Sequence, residues 1–165
     1  MIFVTIGTHE QQFDRLIKKI DDLKGKNIIK EDVFIQLGYS NYIPENCEYK
    51  RMISFNEMEL YSKDARIVIT HGGPGSIMLP FKYNKVPVVV PRQSKYGEHV
   101  DDHQMLFAKF LEENNRILAI YEIDDIDNYI IDYEKVSAKI HSSMDSSNTE
   151  RFTNELEKVI DNLLK

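Results

Sequence analysis

The chain has a single cysteine, Cys47, no long apolar run, no internal repeat, and no excess of positive charge. One cysteine excludes an internal disulfide and any cysteine-based zinc site. It also fits a reducing compartment such as the cytosol. No stretch approaches the roughly 18 consecutive apolar residues of a membrane span. Met1 leads directly into Ile2-Phe3-Val4-Thr5-Ile6, which reads as a strand and not as a leader peptide. Asp and Glu number 27 against 21 Lys and Arg, a net charge of −6. The basic footprint of a nucleic-acid protein is therefore missing, and unaided binding to an anionic lipid surface is disfavoured. No linker or low-complexity segment interrupts the 165 residues, and 42% of them are hydrophobic and 29% charged. Those values predict one ordered domain over residues 1–165, closed by C-terminal helices.

What the chain does have is concentrated between Ala65 and Gln104. Arg66 to Thr70 is a β-branched run with the look of a buried strand. It breaks into His71-Gly72-Gly73-Pro74-Gly75-Ser76, after which the apolar spacing from Ile77 to Tyr83 is helical. A strand, a glycine turn and a helix make an anion site, because the first N–H groups of a helix have no internal partner. The same glycines also suit a tight connection that binds nothing. A second apolar run, Val86 to Val90, is stopped by Pro91. It is followed by Glu98, His99, Asp101, Asp102, His103 and Gln104. Two polar loops after successive strands match the rule that open α/β sheets bind ligands at the carboxyl ends of their strands.

The opening repeats the pattern. Residues 2–6 form a strand and Gly7, Thr8 and His9 a turn; Phe13, Leu16, Ile17, Ile20 and Leu23 then form a helical stripe, closed by Lys24 and a capping Gly25. Further strands are expected at Val33–Leu37, Tyr49–Ile53 and Arg116–Tyr121, with helices at Glu57–Ser62 and His103–Leu111. The order β-α-β-β-α-β-α-β-α-β predicts an α/β fold, a Rossmann-like parallel sheet with helices on both faces. Short helices are expected at Asp124–Asp132 and Tyr133–His141. A terminal helix with a Phe152, Leu156, Val159, Ile160, Leu163 stripe follows Ser147 and Glu150, which have capping-box spacing. That helix, Asn148 to Leu164, either packs on its own core or docks a partner.

These blocks resemble a known family. Ile67-Val68-Ile69-Thr70-His71-Gly72-Gly73-Pro74-Gly75-Ser76, then Pro87 to Pro91, then the His/Asp/Gln cluster are similar to the glycosyltransferase family 28 C-terminal domain, the nucleotide-sugar half of GT-B enzymes. The opening Val4 to Asp14 is similar to stand-alone catalytic subunits of bacterial exopolysaccharide and capsule synthesis, and to the catalytic subunit of the dolichol-linked N-acetylglucosaminyltransferase. The likeness covers roughly residues 1–120.

The resemblance implies the C-terminal half of a GT-B fold, holding a UDP-sugar donor without cofactor or metal. A separate membrane-anchored protein would supply the acceptor half, and a lipid-diphosphate-linked saccharide the acceptor. It implies a cytoplasmic chain held at the inner membrane face through that partner. UDP-galactose is the first expectation for the donor, and a non-catalytic nucleotide-sugar-binding subunit the alternative. By resemblance, Gly7, Thr8, His71, Gly72, Gly73, Gly75 and Ser76 would face the diphosphate, although His71 also suits a core position. Ile53 and Phe55 would cover the uracil or pack in the core. Glu98, His99, Asp102 and Gln104 would hold the donor sugar. His9 and Glu98 are the candidate catalytic residues; His9 would act as base, unless it only caps the turn or touches phosphate, or the acceptor half carries the base. His99 and His103, at i,i+4 spacing, could instead bind a metal with Asp102, yet the family implies none. Relatives carry an acid just after the glycine turn to bind ribose. Here Ile77, Met78 and Leu79 occupy that space, leaving Glu57 or the backbone to replace it.

Overall fold

The computed structural model describes residues 1–141; the proposed terminal helix lies outside the described residues. Six parallel strands run β1 (Ile2–Thr5), β2 (Val33–Gln36), β3 (Glu48–Lys50), β4 (Ile67–Thr70), β5 (Val88–Val89) and β6 (Leu118–Ala119), in the order β3-β2-β1-β4-β5-β6. The helices are α1 (Asp14–Gly25), α2 (Phe55–Asp64), α3 (Pro74–Phe81), α4 (His103–Glu113), α5 (Ile126–Ile131) and α6 (Tyr133–His141). This is the α/β order read from the sequence.

Alternation along each strand decides which face each side chain fills. Ile2, Val4, Val33, Ile35, Ile67 and Ile69 point to one face. They pack with Phe13, Leu16, Ile17 and Ile20 near or on α1, and with Ile126, Ile130 and Tyr133 of α5 and α6. Phe3, Phe34 and Val68 point to the other, beneath Met58 and Tyr61 of α2. Ile77 of α3 and Ala108 and Leu111 of α4 cover Val89 and Ala119 on that same side. Each fully buried Leu, Ile or Phe of these layers contributes about 1.5–3 kcal/mol.

Several boundaries move, each for a local reason. Asn27, at φ +57, and not Gly25, ends α1: Ile28 N–H returns to Leu23 O and Asn27 N–H to Lys24 O. The register pairs Val88–Val89, flanked by Val90 N–H donating to Thr70 O at 2.8 Å and Leu118 N–H to Pro87 O at 3.0 Å, and Pro87 and Pro91, which offer no N–H, bound the strand. The expected strand Tyr49–Ile53 shrinks to the exposed edge Glu48–Lys50. The α2 helix begins earlier than the apolar spacing suggests, at Phe55. Ser54 accepts from Glu57 N–H while the Glu57 carboxylate accepts from Ser54 N–H, a reciprocal cap.

The order places the topological switch between β1 and β4. The chain leaves β1 toward β2 over one face and leaves β4 toward β5 over the other. By the rule for open α/β sheets, the crevice that takes a ligand is expected there, at the carboxyl ends of the strands. Every βα loop of a parallel sheet emerges at that same rim, so the loops after β1, β3, β4 and β5 share one edge.

Candidate functional site

The crevice begins at Gly7. Its φ is +74, which a side chain rarely adopts. Gln36, the last residue of the neighbouring strand, holds this peptide from both sides. Its Oε1 accepts from Gly7 N–H at 3.0 Å and from the Thr5 hydroxyl at 2.8 Å. Its Nε2 donates to Gly7 O at 2.8 Å and to Arg51 O at 3.3 Å. Gln36 thus ties the turns after β1 and β3 together.

The second wall is the turn after β4. The His71 ring lies between the two glycine turns. A Cβ on Gly7 would stand 2.5 Å from its Cε1, and a Cβ on Gly73 2.3 Å from its Nε2. A Cβ on Gly72 would meet the Gln104 side chain at 2.6 Å. These three glycines are therefore demanded by the packing of the protein itself. Gly75 is not: a Cβ there would meet nothing within 4 Å, and its φ is not positive. Gly75 and Ser76 open α3, with Pro74 at its first turn. Ile77 is the first residue of this turn to bond back, to Gly73 O at 3.1 Å. The N–H groups of Gly73, Gly75 and Ser76 have no partner among the described residues. Three free donors at the positive end of a helix make an anion cradle.

His71 is a wedge between the two turns. It is buried, and its Nδ1 has no hydrogen-bond partner. Burial pushes its pKa down to about 3, and the Arg92 guanidinium acts in the same direction. The unfolded chain protonates this ring near about 6.5. Between the two values the unfolded state holds the proton and the folded state does not. Stability therefore rises with pH through that window and levels off above it. Thermal denaturation should show the melting temperature falling as pH drops from about 7 toward 5, with His71 contributing at most about 1.4 kcal/mol per pH unit. The His71→Asn variant should flatten that slope, leaving only the smaller part due to His99, which burial also pushes down.

The loop after β5 departs most from expectation. Glu98 does not face the crevice. Its carboxylate is buried and takes a two-pronged contact from Arg15, Nε to Oε1 at 2.9 Å and Nη2 to Oε2 at 3.0 Å. It also accepts from Gln93 N–H at 3.0 Å. Both of its oxygens are therefore engaged within the protein. A guanidinium fork suits a carboxylate too well to leave it free. Beside it, Arg92 is fully buried. Its Nη1 donates to Gln11 O, Gln12 O and Glu98 O, and its Nη2 to Ile6 O, at 2.9–3.0 Å. It stitches the loop after β1 to the loop after β5. The Gln104 Oε1 accepts from Gly72 N–H at 3.1 Å and Arg92 N–H at 3.2 Å. That leaves its amide nitrogen without a partner among the described residues, as a donor at the rim. Asp102, exposed, accepts from Ser94 N–H at 2.8 Å and holds its own loop.

His9 lies on the loop after β1. Its Nε2 meets Gln11 Oε1 at 2.8 Å. Because that oxygen only accepts, Nε2 carries the proton and Nδ1 the lone pair. The His9 ring stacks on His99 at 4.5 Å between centroids and 13° between planes, and His99 meets His103 edge-on at 4.5 Å. Thr8 is exposed on the same turn. Phe55, 70% exposed, stands at the start of α2 on the same rim, whereas Ile53 packs against the Phe3–Phe34–Val68 core. Glu57 is engaged by Ser54 and Lys50, with its carboxyl held down at about 2 chiefly by Lys50. Of the residues just after the glycine turn, Ile77 is buried in the core, while Met78 is exposed beside it.

Gln36, Arg15 and Arg92 escaped the sequence reading. Their signals were faint: a polar residue closing an apolar strand run, and an arginine directly after Pro91.

A doubly wound parallel sheet with an anion cradle at its switch point defines a nucleotide-binding class of α/β protein. The chain belongs to the glycosyltransferase family 28 C-terminal domain, which it matches over residues 1–163. Its fold is that of solved GT-B glycosyltransferases. The glycotransferase of kitacinnamycin superposes with a TM-score of 0.61 at 16% identity, over 86% of this chain and 37% of that one. The glycosyltransferase SnogD from Streptomyces nogalater superposes with a TM-score of 0.52 at 16% identity, over 87% of this chain and 38% of that one. The chain thus spans little more than a third of either structure. No curated protein matches it. Among the described residues, no helix is long and apolar enough to cross a membrane.

Proposed function

We propose that this chain is the donor-binding, catalytic subunit of a two-component inverting glycosyltransferase, moving a hexose from a UDP-sugar to a lipid-diphosphate-linked saccharide. The observation that carries the reading is the open N-terminus of α3, where three unpartnered N–H groups and an unhindered Gly75 face the crevice. The diphosphate rests there, and the Gly7–Thr8 turn closes it from the β1 side. The Gln104 amide nitrogen reaches the donor from the rim, and Phe55 covers the base. His99 and Asp102 shape the loop on the sugar side.

In the transfer, the acceptor hydroxyl oxygen attacks the anomeric carbon as the bond to the β-phosphate oxygen breaks. The hydroxyl proton passes to His9 Nδ1, and UDP leaves with the extra negative charge. That charge develops against the free N–H groups of α3, which are already oriented and need no reorganisation. Galactose is the favoured hexose, by resemblance. The acceptor half would come from a membrane-anchored partner, which would also hold the chain at the inner membrane face. Arg15, Arg51 and Arg92 all donate to protein acceptors, so the backbone and helix dipole carry the phosphate.

Turnover of UDP-hexoses by the chain alone, and with the co-expressed partner, tests this. Activity should require the partner. The His9→Ala variant should lower kcat about 10²–10⁴-fold while UDP affinity by calorimetry stays unchanged. UDP binding without turnover under every condition would favour a non-catalytic nucleotide-sugar-binding subunit.

A further inference from the structure

The loop between β5 and α4 ends in His99-Val100-Asp101-Asp102-His103, and its side chains converge. One ligand atom from each of His99, Asp101 and His103 lies within 4.8 Å of the other two. His99 Nδ1 is 3.4 Å from Asp101 Oδ1, and His103 Nδ1 contacts that same oxygen. Asp101 N–H donates to His99 Nδ1 at 3.4 Å, so this nitrogen is the unprotonated one, and a metal takes its lone pair by displacing that long hydrogen bond. We propose that His99, Asp101 and His103 form a binding site for a divalent transition-metal ion of the zinc class, on the loop where the donor-binding reading uses only His99 of the three, on the sugar side.

The donor set is two imidazoles and one carboxylate, the ligand chemistry of zinc and its neighbours and not of magnesium or calcium. Two ligand atoms on a tetrahedral zinc at its usual bond lengths stand about 3.3 Å apart. The His99–Asp101 separation matches that edge, and a small opening of the His103–Asp101 contact admits the ion. The ligands are also pre-positioned. His99, with a side chain 10% exposed, is held against His9. The neighbouring Glu98 is locked by Arg15, and Asp102 is locked by Ser94 N–H. His103 sits on the first turn of α4. A site whose loop is already ordered loses less entropy on binding. Asp101 and His103 remain exposed on the outer side, which leaves the fourth coordination position open to water.

The test needs neither activity nor UDP. Tag-free full-length protein, stripped with chelator, is titrated with Zn²⁺ by calorimetry and with Co²⁺ by visible absorption. One equivalent of Zn²⁺ should bind, and Co²⁺ should give the d–d bands of a low-coordinate N/O site. His103→Ala and Asp101→Asn should each weaken Zn²⁺ binding by at least about tenfold with unchanged circular dichroism, since both side chains are exposed. Cys47→Ser should leave binding as it was. Absence of saturable binding in the wild type, wild-type affinity in His103→Ala, or loss of binding in Cys47→Ser would each overturn the assignment.

Discussion

Replacing Arg92 with methionine is expected to destabilise the protein by about 3–5 kcal/mol, the range seen when one side of a buried charged network is removed. The guanidinium is fully buried and satisfies the carbonyls of Ile6, Gln11, Gln12 and Glu98. Methionine keeps most of the volume and its flexible chain still packs on Phe13, so the cavity contribution is small. What remains is four acceptors without donors, each costing about 1–3 kcal/mol if water does not enter. Burial lowers the Arg92 pKa only to about 10, because the Glu98 carboxylate opposes it, so the charge is present at neutral pH. Urea denaturation measures the loss directly. A midpoint within error of wild type would mean that water already serves these carbonyls. The loops after β1 and β5 should also separate, and UDP affinity should fall with stability.

The second large effect separates glycines the fold needs from the one it does not. Gly73→Ala sets a methyl 2.3 Å from the His71 ring, and Gly7 blocks the ring from retreating on its other face. Overpacking of this kind costs about 1–3 kcal/mol, and the anion cradle shifts with it. Gly75→Ala meets no atom of the protein, so stability should stay within about 0.5 kcal/mol of wild type or rise slightly, as alanine favours the helix. UDP affinity should nevertheless fall tenfold or more in Gly75→Ala, about 1.4 kcal/mol, if the diphosphate seats against that backbone. Thermal melts and UDP calorimetry on the two variants give four numbers. Unaltered UDP affinity in Gly75→Ala would remove the cradle from the donor site.

The fold was open to reading because its signals are local. Ile2–Thr5, Val33–Gln36 and Ile67–Thr70 are short apolar runs bounded by breakers, and α1 carries a clean stripe. Buried strands need nothing more. The capping pair Ser54 and Glu57, three residues apart, is equally legible in the sequence and sets the start of α2. Edge strands fared worse, since Glu48–Lys50 is exposed and carries little pattern.

Residue order alone determined the alternation of strands and helices, the two glycine turns and hence the rim on which the site lies, because hydrophobic period and turn chemistry act over a few neighbouring residues. Tertiary structure alone decided which polar side chains are free. Glu98 is drawn onto Arg15, 83 positions away, and Gln36 onto Gly7, 29 positions away. A carboxylate in water and one held by a buried guanidinium have the same letter, and only the partner brought by folding sets what each can do.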